Sequence, residues 1–346
     1  MQALVGAETG SYRLADNVKK PVLQPGSILC HVKAVALNPH DAKIVDYSNV
    51  PGALGGCDFA GVVVEIGNGV KRFKEGDRVF AVTFGMNASD KTAGAFTQYA
   101  VATEDLSCLI PEAMSFTEAC SMGLAIATAG LALFQTPGLQ LSMQGGNGEA
   151  VLVSGGATAT GTMAIQFLRI AGYTPVVTCS PSNNALCESF GAEICFDYHS
   201  PTCGADIRVQ TGNKLRHVLD CVVDISTMKM SYDAIGSSGG AYVALEAIPT
   251  NIKYTRRDIR ANWLMAPSIL GTPVNKKGAY GRPSMPEHRQ FGTYLFALAE
   301  KWLQDGSIKH HPIEVREGGL RSIREGIDDL RRGNVHAKKL VYPLSA

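Results

Sequence analysis

The chain has 346 residues, 45% of them apolar and 18% charged, with 32 Lys+Arg against 31 Asp+Glu. That is enough apolar material for about two buried cores, and it excludes a disordered or collagen-like chain. The near-balance of charge provides no basic footprint for nucleic acid. Nine scattered cysteines with no C-x-x-C pair argue against a disulfide framework or a four-thiolate zinc lobe.

The N-terminal stretch MQALVGAETGSYRLADNVKK lacks the basic-then-apolar pattern of a secretion signal, so the expected location is cytoplasmic. ILCHVKAVAL (28–37) reads as a strand, and GCDFAGVVVEIG (56–67) as a strand pair around a glycine turn. GDRVFAV (76–82) and GAFTQYAVA (94–102) continue a rhythm of short strands punctuated by glycine, which predicts a β-rich first unit.

After about residue 115 the rhythm changes. Ser115 and Glu118 form a capping-box pattern ahead of a long apolar helix ending near Phe134. From Ala119 to Phe134 this segment falls short of the ~20 residues that span a bilayer. Its small residues suit a buried helix, so no membrane contact is expected. From residue 149 strands and helices alternate: EAVLVSGGATATGTMAIQFLRIAGYTPVVTCS, ALCESFGA, ICFDY, HVLDCVVD, GAYVALEAI. Such alternation predicts a parallel sheet with helices on both faces. TPVNKKGAYGRPSMPE (272–287) is loop-like. Residues 289–308 and 324–334 read as helices, and KKLVYPL (338–344) as a final strand.

The strongest chemical signal is VLVSGGATATG (151–161), a strand, a glycine turn and a helix start. A helix N-terminus placed there offers free N–H groups to a pyrophosphate. Gly155 and Gly156 permit the turn and Gly161 permits close packing, while Thr158 occupies the middle position of G-x-G-x-x-G. The following strand ends in Ser180-Pro181-Ser182-Asn183 without the carboxylate that usually grips the ribose of NAD. Hydroxyl and amide groups suit a 2′-phosphate, so the expected cofactor is NADPH. Tyr198 is open to two readings, a partner for adenine or an ordinary capping aromatic.

The segments LNPHDAK (37–43), GGCDFAGVVVEIGNGV (55–70), GDRVFAV (76–82), GAFTQYA (94–100), GLAIATAGLALF (123–134) and GGATATG (155–161) together resemble the medium-chain dehydrogenase/reductase superfamily. FDYHSP (196–201), HVLDC (217–221), YGRP (280–283) and RQFG (289–292) are similar to the fungal trans-acting enoyl reductases of the lovastatin type, which serve iterative polyketide synthases. The resemblance implies an α/β fold: a GroES-like β-rich catalytic domain (1–122 and 271–346) plus a Rossmann doubly wound parallel-sheet domain (123–270). His40, Cys57 and Asp58 are of ligand type, but the rest of the zinc pattern is missing. The expectation is a zinc-independent enzyme with no metal.

By carry-over the resemblance puts Lys43 and Thr128 at the catalytic centre, although the residues alone read more simply as a solvated cation and a helix-bonded hydroxyl. His40, Asp41, Lys43, Thr158, Ala159, Thr160, Gly161, Ser180, Ser182, Asn183, Tyr198, Leu245 and Val335 would touch the cofactor. Gly130, Leu131, Phe134, Met265, Ala266, Pro267, Ser268 and Ile269 would wall the substrate, with core packing as a competing role for the apolar members. The implied reaction is NADPH-dependent reduction of a carrier-bound enoyl thioester, with a highly reducing polyketide synthase as partner. The alternatives are a free-standing quinone or alkenal reductase and a non-catalytic accessory that keeps the fold. Pro273, Lys276, Lys277 and Gly278, taken to follow the last strand, are expected to blunt a sheet edge and favour a monomer. The Lys276/Lys277 pair reads as solvated surface or as a docking point for an acidic carrier.

Overall fold

The structure, a computed structural model, describes residues 1–7 and 10–344. The chain forms two compact units, one of Met1–Ala127 with Pro267–Ala346 and one of Thr128–Ala266.

In the first unit β1 (Ala3–Gly6) and β2 (Tyr12–Ala15) form an antiparallel ladder. β3 (Ser27–Ala36) is the spine of a larger sheet and is buried along most of its length. It pairs antiparallel with β4 (Asp58–Ile66) and, at its start, with β6 (Tyr99–Thr103). β5 (Arg78–Val82) and β7 (Ser107–Leu109) extend the sheet beyond β4. The expected strand pair over 56–67 is one strand. Gly61 sits in its middle because a Cβ there would lie 2.3 Å from the His31 carbonyl oxygen, so this glycine serves close strand approach and not a turn.

α1 (Pro39–Tyr47) follows β3. Asn38 closes it with a capping box, and the Asp41 carboxylate accepts the Asn38 backbone N–H at 2.8 Å. The helix expected from Ser115 to Phe134 is two helices, α2 (Phe116–Ala119) and α3 (Gly123–Phe134). Ser115 and Glu118 do form the box. The break arises where the Asp58 carboxylate captures the Leu124 N–H at 2.6 Å and Gly123 lies against the Ala81 backbone. The stretch Phe116–Phe134 is 83% buried inside the protein.

The second unit is a six-stranded parallel sheet. Its strands are β8 (Ala150–Ser154), β9 (Thr174–Cys179), β10 (Ile194–Asp197), β11 (His217–Asp220), β12 (Gly240–Ala244) and β13 (Ile259–Trp263), in spatial order β10-β9-β8-β11-β12-β13. With β8 counted as the first strand this is the order 3-2-1-4-5-6 of a dinucleotide-binding sheet, whose direction reverses between β8 and β11. The connecting helices are α4 (Ala159–Ile170), α5 (Asn184–Ser189), α6 (Cys203–Gln210), α7 (Ile225–Ala234) and α8 (Thr250–Lys253). Leu152, Val176, Val218, Tyr242 and Ile207 belong to its core. β13 escaped the sequence reading. It is an edge strand of this sheet, and Pro273, Lys276, Lys277 and Gly278 come after it, in the part of the chain that belongs to the first unit.

The chain then rejoins the first unit. α9 (Pro286–Gln304) is fastened by an Arg289–Asp105 ion pair and by Glu300, which accepts the Leu109 N–H at 2.6 Å and pairs with Arg72 at 3.0 Å. β14 (Ile313–Val315) runs parallel to the last strand, β15 (Lys339–Pro343), and α10 (Ile323–Arg332) links the two. β15 pairs antiparallel with the end of β3, so the sheet begun by residue 27 is finished by residue 343.

Candidate functional site

Two groups of residues stand out, one in each unit. In the second unit, β8 runs into the turn Ser154–Gly155–Gly156. Gly155 has φ +79, and a Cβ at Gly156 would lie 2.1 Å from Val177 Cγ1, so neither position accepts a side chain. Thr158 caps α4, its hydroxyl accepting the Gly161 N–H at 3.0 Å, and a Cβ at Gly161 would strike the Gly155 carbonyl at 2.4 Å. First-turn N–H groups have no carbonyl partner within their helix. With the Gly161 donor taken by Thr158, those of Ala159 and Thr160 are left at the positive end of α4, a place for a diphosphate.

Asp220, at the end of the neighbouring β11, was missed in the sequence. Its buried carboxylate accepts N–H groups of Val222 and Val223 at 2.9 and 3.0 Å, the Thr227 hydroxyl at 3.0 Å and the Tyr242 hydroxyl at 2.9 Å. It thereby fixes the segment that brings Val222 against Gly155. The available signal was an acid closing an apolar strand in HVLDC. Burial pushes the Asp220 carboxyl up, and the four hydrogen bonds work against that rise.

At the end of β9 the chain turns through Ser180 and a 3-10 turn, Pro181–Asn183. Ser180 Oγ donates to Tyr198 Oη at 3.4 Å, which brings those two expected adenosine-end residues together. Ser182 is exposed beside them and Asn183 is half-buried, while the Tyr198 ring also packs on His199. No carboxylate occupies 180–183. Leu245 follows β12 and is half-buried. Thr128, Gly130, Leu131 and Phe134 lie buried along α3, and Phe134 packs on Phe167 with ring centroids 6.5 Å apart. Met265 is buried and Ala266 half-buried.

In the first unit α1 carries His40, Asp41 and Lys43. Lys43 is exposed. The Asp41 carboxylate is turned inward to the cap, and burial pushes it up to about 7. His40 is half-buried as a residue, and its Nε2 is sealed from solvent and makes no hydrogen bond. Burial and the nearby ammonium groups of Lys276 and Lys43 hold this imidazole down at about 3, so it is neutral. His40 opens onto a small cavity lined also by Gly85, Pro267, Leu270, Val274 and Lys276. Lys276 is therefore not plain solvated surface. Its ammonium stands 5.9 Å over the Tyr47 ring, which stacks on Tyr280 at 4.4 Å, and burial pulls it down to about 8. Ser268 and Ile269 are buried nearby in sequence, Ser268 Oγ lying 2.8 Å from His288 Nδ1; Val335 packs on the first unit's core.

The donor geometry does not fit a catalytic zinc. Asp58 is consumed by Lys339 Nζ at 2.6 Å, Asn38 Nδ2 at 3.0 Å and the Leu124 N–H at 2.6 Å. His40, Cys57 and Asp58 do not bring three ligand atoms within 4.8 Å of one another. Among the described residues the group that does is Cys179, Cys187 and Cys195.

Comparison with known proteins agrees with this fold. Residues 24–112 match the alcohol dehydrogenase GroES-like domain family and residues 159–280 the zinc-binding dehydrogenase family. The chain is 99% identical over 346 residues to a trans-enoyl reductase of Gibberella fujikuroi, covering 100% of both. It is 68% identical to the trans-enoyl reductase grgB of a Penicillium species, over 99% of this chain and 98% of that one. The crystal structure of CurK enoyl reductase superposes with TM-score 0.78 at 18% identity, covering 99% of each chain, and a quinone oxidoreductase of Coxiella burnetii with TM-score 0.72 at 24% identity, covering 99% and 98%.

Proposed function

The chain belongs to the trans-enoyl reductases of the medium-chain dehydrogenase/reductase superfamily, and from that premise we propose that it reduces a carrier-protein-bound enoyl thioester with NADPH, in the service of a highly reducing polyketide synthase. It is an oxidoreductase, and its superfamily implies a nicotinamide cofactor. The choice of NADPH rests on one observation: β9 is followed by Ser180, Ser182 and Asn183, with hydrogen-bonding groups and no anion. A carboxylate there would repel a 2′-phosphate. The glycine turn and the cap of α4 suit the rest of a dinucleotide.

NADPH, when bound, supplies the hydride that a conjugated thioester accepts at its β-carbon. The N–H groups of Ala159 and Thr160 hold the diphosphate, and Thr158 and Gly161 fix the turn that aims them. Ser180, Ser182, Asn183 and Tyr198 hold the adenosine end. His40, Asp41, Lys43, Leu245 and Val335 serve the nicotinamide end, with Asp41 acting through the cap of α1. Lys43 and Thr128 are donors for charge that grows on the thioester oxygen, where a preorganised donor lowers the barrier most. Gly130, Leu131, Phe134 and Met265–Ile269 favour an apolar acyl chain. Location in the cytoplasm and a monomeric state belong to the same proposal.

The test follows NADPH oxidation with pantetheine- and carrier-bound enoyl thioesters beside simple quinones. The expected result is a kcat/KM for the carrier-bound enoyl chain at least tenfold above that for quinones, with NADPH preferred to NADH. Faster turnover of quinones assigns the protein to small molecules. Absence of NADPH fluorescence quenching, with no protection of the Gly155–Gly161 turn, makes it an accessory.

A further inference from the structure

β9 and β10 run parallel in a register that pairs Val177 with Cys195 and Cys179 with Asp197. Cys179 and Cys195 therefore stand two residues apart on one face of adjacent strands. α5 covers that face and sets Cys187 onto it. The three Sγ atoms lie within 4.8 Å of one another, with Cys179 and Cys187 buried and Cys195 partly exposed. Isolated buried cysteines are ordinary apolar filler. Three sulfurs converging from a strand, a helix and a second strand, with the outermost reached from solvent, make a soft donor set.

We propose that Cys179, Cys187 and Cys195 bind one soft d10 cation (zinc, cadmium or copper(I)) through three sulfurs, with water completing the shell of a divalent ion. Each thiol gives its proton to solvent as its metal–sulfur bond forms, and no electron changes hands. At Zn–S bonds of about 2.3 Å, tetrahedral geometry sets the sulfurs about 3.8 Å apart. Binding therefore draws together any of the three that stand wider than this.

Two features of the nucleotide unit adjoin these sulfurs. Cys179 directly precedes Ser180, and Cys187 Sγ lies 3.4 Å from where a Cβ at Gly156 would stand. A metal seated on the cluster therefore disturbs the end of β9 and the packing beside the glycine turn, and it opposes cofactor binding. This second statement rests on the dinucleotide assignment above, whereas the metal site stands without it.

The metal site is tested by titrating reduced full-length protein with Cd²⁺ and reading sulfur-to-metal charge-transfer absorption. One equivalent per chain is expected, abolished in Cys195→Ser and in Cys187→Ser and retained in Cys120→Ser, with Mg²⁺ silent. X-ray absorption on the wild-type protein loaded with one equivalent of zinc needs no variant. It should count three sulfur neighbours at about 2.3 Å; one sulfur or none overturns the proposal, as does an undiminished titration in both cluster variants. The coupling is read separately, as an expected tenfold or greater weakening of NADPH binding by one equivalent of Cd²⁺ that the Cys195→Ser protein does not show. Stoichiometric three-sulfur binding with unchanged NADPH affinity keeps the site and overturns the coupling. Failure of NADPH to bind the metal-free protein overturns the cofactor reading and leaves the site in place.

Discussion

Replacing Lys339 by Met tests how the first unit is closed. Lys339 is 4% exposed and Asp58 is fully buried; the ammonium lies 2.6 Å from Asp58 Oδ2 and 2.8 Å from the Ser121 carbonyl. Methionine keeps most of the stem and removes the ammonium, with its charge and its hydrogen bonds to Asp58 and the Ser121 carbonyl. Asp58 is then a buried carboxylate with two donors, Asn38 Nδ2 and the Leu124 N–H. Removing one partner of a buried pair costs 3–5 kcal/mol as a general range. The two surviving donors place this case at the lower end, at about 3 kcal/mol. With a urea slope of about 2 kcal/mol per molar, the midpoint of the first unit's transition falls by about 1.5 M. The assay is urea unfolding of the full chain followed by circular dichroism. Adding Asp58→Asn removes the stranded charge and should restore more than half of the loss. A single-variant loss below about 1 kcal/mol, or a double variant weaker than the single, refutes the reasoning.

Three further outcomes are expected. Gly156→Ala places a Cβ 2.1 Å from a stiff valine and should cost about 1–3 kcal/mol together with NADPH binding, both partly regained by Val177→Ala in the same chain; fluorescence titration and thermal melts check this. Ser180→Asp should lower the NADPH/NADH ratio of kcat/KM by at least tenfold, about 1.4 kcal/mol, and an unchanged ratio removes Ser180 from the adenosine end. Asp41 is raised to about 7 in the folded protein, so between about pH 4 and 7 the native state holds a proton that the unfolded chain has released. Its contribution is then fully present below the unfolded pKa and is lost as pH rises through about 7; Asp41→Asn should flatten this slope in urea midpoints measured from pH 5 to 8.

The parts of this protein that are local in sequence were legible. The strand–turn–helix at 151–170 announces itself by β-branched residues, paired glycines and apolar spacing, and Ser115 with Glu118 marks a cap that the structure forms. What escaped depends on distant partners. Nothing near Gly61 reveals that His31 will press against it, so a mid-strand glycine reads as a turn. The break before α3 needs the Asp58 carboxylate, 66 residues earlier. β13 has five residues and no glycine punctuation, and its Arg260 reaches back to the carbonyls of Gly138 and Leu139. Lys276 reads as surface until the fold brings His40 and Pro267 to the same cavity. The three cysteines share no spacing rule; only the β9–β10 register converges them.

The Asp58–Lys339 contact joins groups 281 positions apart. At ribosomal speeds of about 5–20 residues per second, the anion waits roughly 14–56 s for its cation to be made. The inserted nucleotide sheet, wholly encoded in that interval, has time to fold first. The sheet of the first unit stays open until β15 has left the exit tunnel, which makes that strand the latch of biosynthesis and its removal a costly deletion.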